Sequence, residues 1–245
     1  INKNFDRAAN RQLKDLESVE RKLQRVEKMA RVGSDTKAKA EFEILQRCQN
    51  HLMAGKSIHS LGLSKEDKAA VADLFLLTDK PVLYVANVDE ASMHTGNAFS
   101  EQLKKAVEAE GAQVIVMCNN IEAQIAEMDN TEDKQMFMEE YKMTEPALNR
   151  LIQSAYKLLN LDTYFTAGVQ EVRAWTIHKG WKAPQAASVI HTDFEKGFIK
   201  AEVIAYEDFV KYGSEAACRD NGRLRIEGKE YLVKDGDIMH FRFNV

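Results

Sequence analysis

The chain lacks the usual devices for covalent cross-linking or membrane anchoring. Its three cysteines, Cys48, Cys118 and Cys218, are odd in number, far apart and without a CxxC pair. That usage excludes a disulfide framework and a zinc cluster, and it points to a reducing compartment. No apolar run approaches the ~20 residues of a membrane-spanning helix, and no signal peptide is visible. A cytoplasmic protein without membrane contact is expected. Positive charge is not in excess either: 34 Lys and Arg face 38 Asp and Glu, a net charge of −4. Wholesale coating of nucleic acid is thereby disfavoured, while a local basic face stays open. A phosphate-binding loop is missing as well. Gly55-Lys56-Ser57 resembles the end of GxxxxGK[ST], but Asn50 stands where the first glycine is required, and a helix precedes it where a strand should. Gly55 reads instead as a helix C-cap, with Lys56 near the negative end of the dipole.

What is present begins with Pro81 to Glu90. The apolar run from Val82 to Ala86, followed by Asn87-Val88-Asp89-Glu90, reads as a strand covered on both faces that ends in polar residues. Phe99, Leu103, Ala106 and Val107 then recur at helical spacing up to Gly111, and Gln113 to Cys118 forms a second apolar strand closed by Asn119-Asn120. Strand, helix, strand makes a βαβ unit whose strands end on one side. Ligands of open parallel sheets sit past those ends, so Asn87 and Asn119 are placed to face one ligand. Polar residues follow most strands of any α/β protein, and spacing alone leaves that bland reading open.

At 245 residues the chain is long enough for more than one domain, and it divides into three parts. Residues 1–63 read as a helical hairpin. Leu13, Leu16, Leu23 and Val26 mark one stripe, Ala38, Phe42, Leu45 and Leu52 another, and the break falls at Arg31 to Asp35. Lys and Arg outnumber Asp and Glu there, thirteen against eight. The choice is between an arm that touches phosphate, through Arg21, Lys22, Arg25 and Lys28, and a merely solvated helical face.

Residues 64–161 carry the βαβ unit. Ser64 with Asp67 signals a helix start that Ala70, Leu74 and Leu77 continue; further helices begin near Ile121 and span Met143 to Leu159. Residues 162–245 change character. Strands are expected over 169–177 and 198–205, helices over 184–194 and 206–212, and a hairpin turns at Glu227-Gly228-Lys229-Glu230 before a last strand at 238–243. A small α+β domain with a mixed sheet gripping a helix fits this order. His178, His191, His240 and Asp193 match no metal spacing, so no metal site is assigned. Trp175 and Trp181 beside Arg173, Lys179 and Lys182 suit either base stacking or a protein interface.

Specific signatures then narrow the reading. Thr163-Tyr164-Phe165-Thr166-Ala167-Gly168-Val169-Gln170-Glu171-Val172-Arg173-Ala174-Trp175 looks like the opening of a TGS domain, and the match extends through Ala183-Pro184-Gln185-Ala186-Ala187, His191-Thr192-Asp193-Phe194-Glu195-Lys196-Gly197 and Lys234-Asp235-Gly236-Asp237-Ile238. With Asn87-Val88-Asp89-Glu90 upstream, the chain resembles the Obg-like ATPase family, also called YchF, in its bacterial form. The resemblance implies an α/β P-loop NTPase domain, present in part, with a coiled-coil insertion and a C-terminal α+β domain of β-grasp (TGS) type. It implies ATP binding and hydrolysis with GTP tolerated, Mg²⁺ with the nucleotide, and ribosome or RNA as partner. The phosphate-holding and catalytic groups are expected upstream of Ile1, so the chain alone is expected to be inactive.

In that light Asn87, Val88, Glu90 and Asn119 are the expected nucleotide-binding residues. Guanine-specific relatives carry Asn-Lys-x-Asp, whose Asp accepts two hydrogen bonds from the guanine N1 and N2 edge. Here Val88 replaces Lys and Glu90 replaces Asp. The extra methylene moves the carboxylate, which erodes guanine preference, while Asn87 can both donate and accept. Cys118-Asn119-Asn120 departs from the usual Ser/Cys-Ala-Lys pattern. The competing reading is a non-enzymatic adaptor that binds ribosome, RNA or a regulator.

Overall fold

The computed structural model describes residues 2–32, 36–108, 111–168 and 171–244. The chain forms two compact units, Ile1–Leu148 and Asn149–Val245.

In the first unit, α1 (Asn2–Val32) packs along α2 (Thr36–Met53). The pairing is antiparallel: Gln12 Nε2 donates to Gly55 O (2.8 Å), Gln49 Nε2 to Glu20 Oε1 (3.2 Å), and Lys22 Nζ meets Glu41 Oε1 at 2.7 Å. The buried stripe of α1 differs from the leucine stripe read from the sequence. It runs Asp15, Val19, Lys22, Val26, at spacings of four, three and four; Leu16 and Leu23 flank it and Leu13 is exposed. Ala38, Ile44, Leu45, Cys48 and Leu52 face it from α2. Two charged residues occupy the seam because each has internal partners. Gly55 ends α2 at φ +73, its N–H donating to Leu52 O and that of Lys56 to His51 O, a left-handed cap that only glycine adopts without strain.

Ser64 caps α3 (Lys65–Val71), its Oγ accepting the Asp67 N–H at 3.0 Å. The helix does not continue to Leu77 as the apolar spacing suggested. It gives way to 3₁₀ turns at Ala72–Leu74 and Leu77–Asp79, with Phe75 left-handed at φ 48. The backbone here is bound by α1. Lys22 Nζ donates to Ala70 O (2.8 Å), and Asp15 accepts the N–H groups of Leu77 (2.8 Å) and Thr78 (2.7 Å).

Next come β1 (Leu83–Asn87), α4 (Ala98–Glu108) and β2 (Gln113–Met117). The strands pair in parallel from Leu83↔Gln113 to Asn87↔Met117. Asn97 starts α4, its Oδ1 accepting the N–H groups of Phe99 and Ser100 while Ser100 Oγ accepts its own N–H. The expectation that β1 is covered on both faces is not met among the described residues, since Val85 is 41% exposed while Ala86 is buried. Helix α5 (Asn119–Glu127) starts directly from β2. Helix α6 (Thr131–Glu140), which the sequence reading did not anticipate, is capped by Asn130.

Helix α7 (Ala147–Leu158) begins with the last two residues of the first unit, and the rest of it leads, in the second unit, into a five-stranded mixed sheet of order β4-β3-β7-β5-β6. Its strands are β3 (Leu161–Ala167), β4 (Val172–His178), β5 (Phe198–Ile204), β6 (Arg225–Glu227) and β7 (Ile238–Phe243); β3 and β7 pair in parallel, the rest antiparallel. The expected strand over 169–177 is thus β4, beginning at Val172, with Val169 outside the described residues; β3 was not anticipated. The inner face of the sheet, with Tyr164, Ile177, Ala201, Val203, Met239 and Phe241, packs on Ala183, Ala186 and Ala187 of α8 (Ala183–Ser188). Tyr164 is fully buried, and its hydroxyl donates to Ala186 O at 3.0 Å.

Two local expectations are corrected. The helix read over 184–194 is two helices, α8 and α9 (Thr192–Lys196), because His191 Nδ1 accepts the Asp193 N–H and caps a new start. The turn at 227–230 joins no hairpin. Leu232 bridges to Lys182, and Tyr231 O and Val233 N bond Ala183 N and Trp181 O. The Tyr231 hydroxyl reaches Asp237 Oδ2 at 2.7 Å, which holds the segment beside α8 rather than β6. Helices α10 (Tyr206–Tyr212) and α11 (Glu215–Asp220) complete the unit.

Candidate functional site

The two parallel strands of the first unit end side by side, and the loops that leave them are bonded to each other. Val88 N donates to Met117 O at 3.0 Å, extending the pairing one residue past β1. Asn87 Oδ1 accepts the backbone N–H of Asn119 at 3.0 Å, and Asn120 Nδ2 donates to Glu90 Oε1 at 2.9 Å. Asp89 accepts the Ser92 N–H and starts a 3₁₀ turn, Glu90–Ser92, that sets the direction of Glu90. Between the loops lies an open cavity of about 430 Å³, lined by Asn87, Val88, Asp89, Glu90, Ala91, Cys118 and Asn120. Val88 and Cys118 are buried and give it an apolar floor, while Asn87, Glu90 and Asn120 are exposed at its rim.

Beneath the loops, Met93, Cys118, Ile121 and Ile125 pack with Phe137, Met138, Tyr141 and Met143. Burial raises the Tyr141 phenol above its ordinary value, and the charges of Glu90 and Glu140 add to the rise. His94 Nε2 lies 2.8 Å from Tyr141 O and ties the turn after Glu90 to the end of α6. On α5, Glu122 accepts the N–H groups of Ala147 (2.7 Å) and Leu148 (3.1 Å), satisfying two open donors at the start of α7. The first turn of the helix that begins at the cavity is therefore tied both to Asn87 and to the start of α7.

Comparison with known proteins decides the family. The chain is 50% identical over 233 residues to the ribosome-binding ATPase YchF of Escherichia coli O157:H7, covering 95% of this chain and 63% of that one. To the ribosome-binding ATPase YchF of Bacillus subtilis (strain 168) it is 48% identical over 235 residues, covering 95% and 64%. The chain belongs to the YchF family. Residues 161–244 match the family model YchF-GTPase_C, described as a protein of unknown function (DUF933). The solved YchF GTPase of Schizosaccharomyces pombe superposes with a TM-score of 0.84 at 34% identity, over 96% of this chain and 64% of that one. The chain thus spans slightly less than two thirds of the length of these YchF relatives.

Within this YchF chain, the four residues read as nucleotide-binding stand at one corner, but not in equal roles. Asn87, Val88 and Glu90 line the cavity. Asn119 contributes its backbone N–H to Asn87, and the lining side chain is that of Asn120. Sequence reasoning passed over Asn120. The Asn119-Asn120 pair was the available signal, but which of two adjacent amides turns inward is set by the first turn of α5.

The basic candidates separate into different environments. Arg21, Arg25 and Lys28 are exposed on α1 at i, i+4 and i+7 and share a face. Lys22 does not belong with them. It is buried, with Nζ held by Glu41 (2.7 Å), Asp73 (2.6 Å) and Ala70 O (2.8 Å), and has no capacity left for a phosphate. In the second unit, the Arg173 guanidinium lies 4.1 Å over the Trp175 ring, whose Nε1 donates to Thr166 Oγ1. Lys182 is ion-paired with Glu230, and Lys179 is exposed. Trp181 is half-buried against the core. Among the described residues no three His, Cys, Asp or Glu side chains cluster as a metal set, so no Mg²⁺ ligand is assigned, and no helix is long and apolar enough to cross a membrane.

Proposed function

We propose that this chain supplies the base-recognition corner and the ribosome-facing surfaces of an ATP-binding, ATP-hydrolysing P-loop NTPase that tolerates GTP. The observation that carries the reading is the bonded pair of loops at the parallel strand ends: Asn87 to the Asn119 N–H and Glu90 to Asn120, around a cavity of about 430 Å³. A purine fits this chemistry, with Val88 and Cys118 against the ring face and amide and carboxylate groups at its edge. Glu90 in place of a shorter Asp no longer presents its carboxylate where guanine needs an acceptor, and one oxygen is already committed to Asn120. The name "Ribosome-binding ATPase" of the E. coli and B. subtilis relatives supports the nucleotide and the partner.

In this reading the α1–α2 hairpin is the coiled-coil insertion and the mixed sheet around α8 is the β-grasp TGS domain. Arg21, Arg25 and Lys28, with Arg173, Lys179 and Lys182, are the basic positions facing ribosome or RNA in the cytoplasm. Hydrolysis requires positioned phosphate-binding groups and Mg²⁺; no residue described in this chain is assigned to them, and this polypeptide alone is expected to turn over no ATP. Calorimetry of full-length protein with ATP and GTP tests the base site. Asn87→Ala should weaken both nucleotides, and Glu90→Asp should move the ratio toward GTP. If Glu90→Asp leaves the ratio where it was, the base-loop reading is wrong. Nucleotide binding absent altogether from the full-length protein would favour the adaptor.

A further inference from the structure

Resting on the base-site reading above, we propose that Asn120 reads position 6 of the purine and makes the site prefer a 6-amino over a 6-oxo group. The argument starts from Glu90. A carboxylate only accepts hydrogen bonds, so the Asn120 amide beside it must present its nitrogen, and Nδ2 lies 2.9 Å from Glu90 Oε1. The orientation of that amide is therefore not free. Its other end is necessarily the carbonyl Oδ1, an acceptor, and among the described residues Oδ1 takes no hydrogen bond. Asn120 is exposed and lines the cavity together with Glu90 and Asn87. An acceptor is thus fixed at the wall where the base edge docks.

The neighbouring donor is already in use. The backbone N–H of Asn119 points to Asn87 Oδ1 at 3.0 Å. A purine carrying a 6-amino group finds in Asn120 Oδ1 the acceptor its N–H requires. A purine carrying a 6-oxo group meets oxygen with oxygen at that wall. Sites built on a fixed donor or acceptor discriminate by that mismatch. Glu90 is then a positioning residue: it holds the amide in the orientation that reads adenine, and it does so through Asn120 rather than by touching the 6-position itself.

The test uses full-length protein, calorimetry, and three nucleotides: ATP, GTP and purine riboside triphosphate, which has only hydrogen at position 6. In the unmodified protein the purine analogue should bind about tenfold more weakly than ATP, the loss of one hydrogen bond. In Asn120→Ala the two should bind alike, and the ATP to GTP ratio should fall about fivefold or more. Glu90→Gln, which accepts either orientation of the facing amide, should lower that ratio in the same direction. An ATP advantage over the purine analogue that survives Asn120→Ala overturns the proposal; if Asn87→Ala still weakens every nucleotide, the base site itself stands. No change in any nucleotide with either Asn87→Ala or Asn120→Ala overturns both.

Discussion

Asp15 and Thr78 are 63 positions apart, yet one carboxylate oxygen of Asp15 accepts both the N–H and the hydroxyl of Thr78, each at 2.7 Å. Its other oxygen accepts the Leu77 N–H at 2.8 Å, and Asp15 itself is only 3% exposed. The Thr78 hydroxyl in turn accepts the Ile58 N–H at 3.2 Å. A single acid on α1 thus organises the turn that leads into β1. Asp15→Ala leaves three buried or half-buried donors without a partner, and unsatisfied groups cost more than the bonds gain. A loss of about 3 kcal/mol in urea unfolding is expected, against about 1 kcal/mol for Thr78→Val, which keeps the two backbone bonds. Equal, small losses for both would mean that the turn holds its shape unaided.

Lys22 is the second charged residue in that seam, and its contribution depends on pH. Burial alone lowers a lysine, but hydrogen bonds to Asp73 and Glu41 and their charges outweigh it, and the net effect is a value raised above the ordinary 10.5. A group held higher in the folded state stabilises fully below its unfolded value and loses that contribution as pH rises through the folded one. Lys22→Met should therefore cost about 2 kcal/mol of unfolding free energy throughout pH 6 to 9, since it strands Glu41 and Asp73. The gap between the two proteins should narrow above pH 10.5. A gap that widens in alkali would contradict the assignment of Nζ as the charged hub.

The same burial changes how the basic arm should be tested. Arg21, Arg25 and Lys28 are exposed and share a face, so reversing them to Glu removes charge without unfolding the hairpin. Ribosome co-sedimentation should weaken, and the slope of log affinity against log salt should fall by roughly 0.7 to 0.9 for each phosphate no longer neutralised. Lys22→Glu should instead lower the melting temperature, because it adds a third acid to Glu41 and Asp73. If reversal of the three exposed residues leaves binding and its salt slope unchanged, α1 does not face phosphate.

Positions that follow from a local pattern were legible. Asn87 and Glu90 stand, as expected, where an apolar strand turns polar, Ser64 and Gly55 punctuate helices, and β5, β7 and α10 follow their periodicity closely. The residues that escaped act across distance. Asp15 and Lys22 interrupt the apolar stripe of α1, and only partners from about twenty to some sixty positions away explain them. His191 is not among the usual capping residues, so the break between α8 and α9 left no signal. Tyr231 to Val233 looked like the return strand of a hairpin because its apolar pattern is the same whether it pairs with β6 or lies beside α8. Asn120 was overlooked for a related reason: a one-dimensional string does not say which way an amide turns.

The cysteines report on the cavity from inside. Burial pushes the Cys48 thiol up to about 11 and raises Cys218 as well, and both are fully buried. At pH 8 neither should react with a maleimide on the timescale of minutes while the fold is intact, because the thiolate is the nucleophile and access is closed. Cys118 is also buried, at 4% exposure, but it lines the cavity between Asn87 and Glu90. Slow labelling should therefore occur first at Cys118, read by mass spectrometry of the digested protein. Saturating ATP should suppress it in the full-length protein by covering the cavity floor, with no change at Cys48 or Cys218, and Asn87→Ala should abolish that protection. Labelling of Cys118 that is indifferent to ATP would place the base elsewhere, since a ring seated on Val88 and Cys118 must shield the sulfur it rests on.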